Sequence, residues 1–66
     1  MNVIVNGASQ PLTTEVTLHD LLGTLGLTEG RIAVELNAEI VPRSRHQETI
    51  LREGDKVEIV HAIGGG

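Results

Sequence analysis

The stretch Thr17-Leu18-His19-Asp20-Leu21-Leu22-Gly23-Thr24-Leu25-Gly26-Leu27 decides the fold. Leu18, Leu21, Leu22 and Leu25 stand at i, i+3, i+4 and i+7, which is one face of an α-helix. The Thr17 hydroxyl is placed to cap the free N–H groups of the first turn. Asp20, three residues on, supplies an acidic variant of the capping box. Gly26 sits where a left-handed C-cap is expected, with Leu27 positioned to fold back on the last turn. Gly23 weakens the helix by about 1 kcal/mol relative to alanine.

Outward from this helix the chain reads as strands. On the N-terminal side, residues 2–6 alternate, with Val3 and Val5 on one face and Ile4 on the other. Asn6-Gly7 is a turn dipeptide, and the Thr-rich residues 12–16 are expected to form the returning strand of a hairpin. On the C-terminal side, residues 31–37 place Ile32, Val34 and Leu36 on one face and Ala33 and Glu35 on the other. A turn at Asn37-Ala38-Glu39 leads to a short strand at Ile40-Val41, which Pro42 ends. Residues 43–52 read as a mostly polar connection with a helical turn, pinned by Ile50 and Leu51. Residues 56–63 form the last strand, with Val57 and Ile59 inward. The order β-β-α-β-β-β predicts an α+β fold: a mixed sheet of about five strands with one helix across one face. The expected organisation is one domain over residues 1–63 followed by a flexible glycine tail over residues 64–66.

Composition narrows the function classes. At 66 residues such a domain buries only about 60% of its unfolded surface, so its core is small. It contains no Phe, Trp or Tyr and carries a formal charge of −4. Without stacking rings, and with a sign that repels phosphate backbones, nucleic acid is not an expected partner. There is no cysteine, so disulfides, thiolate metal sites and a thiol nucleophile are excluded from this chain. No apolar run is long enough to span a bilayer, and Met1-Asn2-Val3-Ile4-Val5 lacks the basic start of a signal peptide, so no membrane partner and a cytoplasmic location are expected. No Ser-His-Asp constellation or carboxylate pair can be argued from spacing, and an intrinsic enzyme is not expected.

The remaining chemical feature is the ending Gly64-Gly65-Gly66. Its bland reading is a frayed end. Its chemical reading rests on the missing Cβ, which lets a glycine strand pass through a narrow channel and approach a nucleotide closely. A carboxylate on such a strand can reach a buried active site while the globular part stays outside.

Together with the strand order, three segments carry a resemblance: Glu35-Leu36-Asn37-Ala38-Glu39-Ile40-Val41-Pro42-Arg43, Glu53-Gly54-Asp55-Lys56-Val57-Glu58-Ile59, and Ile63-Gly64-Gly65-Gly66. The chain resembles, over its whole length, the ThiS family of ubiquitin-like, β-grasp sulfur carriers of thiamine biosynthesis. Ala38 departs from the pattern, since glycine or another turn former is expected there, and this leaves the type of that turn open. The resemblance implies no bound cofactor. It implies that an E1-like adenylating enzyme uses MgATP to convert the carboxylate of Gly66 to an acyl-adenylate, with Gly64 and Gly65 presenting it. Sulfur, originating from cysteine through a cysteine desulfurase, then replaces AMP to leave a thiocarboxylate, from which thiazole synthase draws sulfur for the thiazole ring. The protein would be a co-substrate. A carrier for molybdopterin or for cysteine or methionine synthesis, a ubiquitin-like conjugated modifier, and an inert interaction module remain as alternatives.

A carrier must also be gripped. Alternation turns Ile4, Ala33, Lys56, Glu58, Val60 and Ala62 away from the helix. If the first and last strands are neighbours, as the resemblance implies, Ile4, Val60, Ala62 and Ile63 are the candidate docking residues leading to the tail. The bland reading is scattered surface apolar residues, which are normal. His19, His46 and His61 lack metal-ligand spacing and read as surface histidines, although alternation points His61 inward. Arg43 and Arg45 form the one basic cluster and read as solvated.

Overall fold

The structure is a computed structural model, and it describes residues 1–13, 15–27 and 30–61. Strands β1 (Asn2–Val5) and β2 (Ala8–Pro11) are followed by helix α1 (Leu18–Thr24). Then come β3 (Ile32–Leu36), β4 (Glu39–Ile40), a 3-10 helix (Arg43–Glu48) and β5 (Lys56–His61). The strands form one mixed sheet in the order β2-β1-β5-β3-β4. β1 and β5 run parallel at its centre, and every other pairing is antiparallel. This is the α+β, β-grasp arrangement that the strand order and the resemblance led us to expect.

Helix α1 forms where its leucines and caps dictate. Thr17 Oγ1 accepts the Asp20 N–H at 3.1 Å, and the Thr17 N–H donates to Asp20 Oδ2 at 3.0 Å, which closes the capping box. At the other end Gly26 takes φ +73°. Its N–H donates to Gly23 O at 3.1 Å and the Leu27 N–H donates to Leu22 O at 2.8 Å, a Schellman closure. Seven residues are too few for a stable isolated helix, so packing must hold it. Leu18, Leu21 and Leu22 supply that packing against Val3, Val34, Val57 and Ile59 of the three inner strands, with Leu51 completing the core. Deleting any of these large side chains to alanine removes a few kcal/mol, about 2–5 for a leucine.

The structure departs from these expectations at several points. The returning strand of the first hairpin is Ala8–Pro11, not residues 12–16. Asn6 and Gly7 both have positive φ, at 49° and 86°, so they form a two-residue turn and pairing resumes at once, with Val5 opposite Ala8. β2 is an edge strand, which accounts for its polar side chains and for Pro11. Glu15, at φ +58°, lies in the segment expected to be extended. The fourth strand is Glu39–Ile40, one residue earlier than expected, because the turn occupies only Asn37 and Ala38, at φ +51° and +71°. In the connection, Leu51 is buried but Ile50 is not: Ile50 pairs with Thr17 as an isolated bridge and leaves its side chain exposed. The Leu18 N–H donates to Thr49 O, and the Leu51 N–H donates to Val16 O, so this segment fastens the start of the helix. Finally, His46 is not a surface histidine. It is only 5% exposed, with Nε2 3.0 Å from the Val41 carbonyl.

Candidate functional site: the central strand and its outer face

β5 holds the centre of the sheet and leads towards the chain's final glycines. Its position is over-determined. On one side the Ile4 N–H donates to Asp55 O and the Asn6 N–H to Val57 O. On the other, β5 pairs with β3 from Leu36 opposite Val57 to Ile32 opposite His61. Where β1 ends, the Asn6 side chain continues the ladder, its Oδ1 accepting the Ile59 N–H at 2.8 Å. Asn37 does the same at the start of β5: its Oδ1 accepts the Lys56 N–H at 3.0 Å and its Nδ2 donates to Asp55 Oδ1 at 3.1 Å. Both asparagines open two-residue turns at positive φ, a conformation asparagine tolerates better than most residues.

Alternation along β5 buries Val57 and Ile59 and turns Lys56, Glu58 and Val60 to solvent on the face away from α1. Val60 is 61% exposed and lies opposite Ala33, which is also exposed. Ile4 is half-buried on the same face, opposite Lys56, in a shallow depression of about 300 Å³ lined also by Gly7 and Glu58. Ile4 and Val60 therefore share a face without touching in register, because Glu58 stands between them, opposite Glu35. The apolar surface forms two spots with a carboxylate pair between them. Of the other expected site residues, Ala62, Ile63, Gly64, Gly65 and Gly66 lie outside the described residues.

Ile40 belongs to this face as well and was not foreseen. At 73% exposed it is the most open large apolar side chain described. The two-residue turn sets Glu35 opposite Ile40, so the two side chains share the outer face. The signal was present in the sequence, because the length of that turn fixes which way Ile40 points. His61, placed inward by alternation, is exposed at the end of β5. Among the described residues no three His, Cys, Asp or Glu side chains gather as a metal site.

Comparison with known proteins places this geometry in context. The family model described as the ThiS family matches residues 3–66. A thiazole synthase of Paramagnetospirillum magneticum is 42% identical over all 66 residues, and the chain spans only 20% of that protein's length. The sulfur carrier protein ThiS of Bacillus subtilis is 42% identical over 50 residues, 76% of each chain. The crystal structure of a thiamine biosynthesis protein (ThiS) from Geobacter metallireducens superposes with a TM-score of 0.86 at 32% identity, covering all of both chains. With a family match over nearly its whole length and a ThiS structure superposing on all of it, the chain belongs to the ThiS family.

Proposed function

We propose that this protein is a sulfur carrier of thiamine biosynthesis and acts as a protein co-substrate, with the carboxylate of Gly66 as its reactive group. A carboxylate is a poor electrophile until one oxygen becomes a good leaving group. In the proposed cycle an E1-like enzyme supplies that change: a Gly66 oxygen attacks the α-phosphorus of MgATP, pyrophosphate leaves, and an acyl-adenylate forms. A persulfide sulfur derived through a cysteine desulfurase then attacks the acyl carbon, AMP leaves, and an acyl disulfide forms. A second thiol attacks its outer sulfur, forming a disulfide there and releasing the thiocarboxylate for thiazole synthase. Gly64 and Gly65 serve as clearance, since a strand without Cβ atoms fits where side chains would collide. The chain has no cysteine, so its own side chains offer no thiol to carry sulfur.

The observation that carries this reading is the family match reaching residue 66, combined with the central, doubly hydrogen-bonded β5 that precedes the glycines. The thiazole synthase from Paramagnetospirillum magneticum supports the choice of consumer, because there a segment like this chain is part of one polypeptide with a thiazole synthase. The outer face of the sheet, with Val60 of β5 and Ile40 of β4 as apolar contacts, is the proposed docking surface for the adenylating enzyme. ATP–pyrophosphate exchange tests the adenylation step. Removing Gly66, or extending the chain beyond it, is expected to abolish exchange, and exchange persisting with either variant overturns the proposal.

A further inference from the structure

A cleft on the opposite side of the sheet is unused by this function. It lies between α1, the start of β3 and the 3-10 helix, with a volume of about 360 Å³. That is at the small end of the range for ligand sites. Leu22, Leu27 and Ile32 give it an apolar wall, and its polar groups come from the 3-10 helix and from His19 of α1.

Those polar groups are all neutral or cationic. The chain carries nine Asp and Glu against five Lys and Arg, yet no described side chain lining the cleft is acidic. Arg43 Nη2 donates to Gly30 O at 2.9 Å, which holds the guanidinium at the cleft and leaves its other N–H groups for a ligand. The sole ion pair among the described residues joins Arg45 to Glu48, so Arg43 has no described carboxylate to neutralise it. His46 is more than nine-tenths buried in the wall. Because Val41 O can only accept, Nε2 carries the proton and Nδ1 is left as an acceptor, so His46 shapes the wall and the donors that face a ligand come from its neighbours. Ser44 and Gln47 add hydrogen-bonding groups that can donate or accept.

We infer that this cleft binds a small phosphate monoester with an apolar body, the phosphate on the donors of Arg43, Ser44 and Gln47 and the body on Leu22, Leu27 and Ile32. The charge selects an anion, and arginine favours phosphate through its forked donors. The apolar wall distinguishes such a ligand from free phosphate. The site is independent of the carrier reading, since it lies on the helix side of the sheet.

The test is a ¹H–¹⁵N NMR titration of the intact chain with phenyl phosphate, with phenol and inorganic phosphate as separate arms. Saturable shifts at the Ser44, His46 and Gln47 amides are expected with phenyl phosphate, and binding roughly tenfold weaker for each fragment. Arg43→Gln should weaken phenyl phosphate roughly tenfold, the loss expected for one charge-assisted hydrogen bond. Ser44→Asp, which sets a carboxylate at the phosphate position, should abolish binding and decides the matter if Arg43→Gln fails to fold. Non-saturating shifts, shifts centred elsewhere, equal affinity for inorganic phosphate, or unaltered binding by Ser44→Asp would overturn the proposal.

Discussion

Asn6 stands in for a missing strand residue: its side-chain oxygen accepts the Ile59 N–H at 2.8 Å, at the point where β1 turns away from β5. Asparagine at this position meets two demands at once, the positive φ of a two-residue turn and the unpaired N–H of a central strand. Asn6→Ala leaves that N–H without its partner and puts in the left-handed region a residue that tolerates it less well than asparagine. The expected loss is about 2–3 kcal/mol. Asn6→Gly should recover the backbone part only, so its loss is smaller. Urea denaturation of the two variants measures the difference.

Ala38 is the converse case. It holds φ +71° with a Cβ and with no side chain able to hydrogen-bond locally, at a cost of about 1–2 kcal/mol. Glycine relieves that cost but gives the unfolded chain more freedom, which offsets about 0.4–1 kcal/mol. Ala38→Gly is therefore expected to stabilise the domain by about 0.5–1 kcal/mol, seen as a higher denaturation midpoint at unchanged slope. A lower midpoint would mean that the turn does not take this conformation.

The capping box has a pH signature. The Asp20 carboxyl is held below its ordinary value of 3.8, first by the Thr17 backbone N–H and then by the Thr17 hydroxyl. A depressed folded-state value means that the cap's contribution is complete above the unfolded value. It is lost as pH falls through the lower folded value. The stability difference between the native chain and Asp20→Asn should hold near neutral pH and shrink in acid, below about pH 3.8. Thr17→Ala should cost about 1 kcal/mol at pH 7. Denaturation curves from neutral pH to pH 2 check both.

Val60 and Ile40 are exposed, so polar replacements there should leave the fold unchanged. Val60→Asp is expected to weaken binding to the adenylating enzyme roughly tenfold or more, with an unchanged circular dichroism spectrum. Ile40→Asp tests whether β4 extends the contact. Unaltered affinities for both variants by calorimetry would remove the outer face of the sheet as the docking surface.

What could be read from the sequence follows from how local each cause is. Helix α1 was legible because its leucine spacing, its Thr17–Asp20 cap and its Gly26-Leu27 closure all act within one short segment. The alternation of β3 and β5 was legible because one face of each is buried. β2 was not, because an edge strand needs only backbone pairing with β1, and its Ser9, Gln10 and Pro11 carry no apolar pattern. The Thr-rich residues that follow have the propensity of a strand, and Leu12 extends the pairing by exchanging hydrogen bonds with Met1. His46 was misread for a related reason: its neighbours in sequence are polar, and its burial comes from the 3-10 helix packing on α1. Asn6 and Asn37 were readable as turn residues, but their hydrogen bonds to β5 join positions far apart in the chain.

The central claim concerns one group, the carboxylate of Gly66, and intact-mass spectrometry tests it most directly. The chain is incubated with its adenylating enzyme, MgATP and the cysteine desulfurase with cysteine, and then weighed whole and after proteolysis. The expected result is a mass gain of one oxygen-to-sulfur exchange, confined to the peptide that ends in Gly66. An unchanged mass, sulfur on any other peptide, or covalent adducts to lysines of other proteins would contradict it.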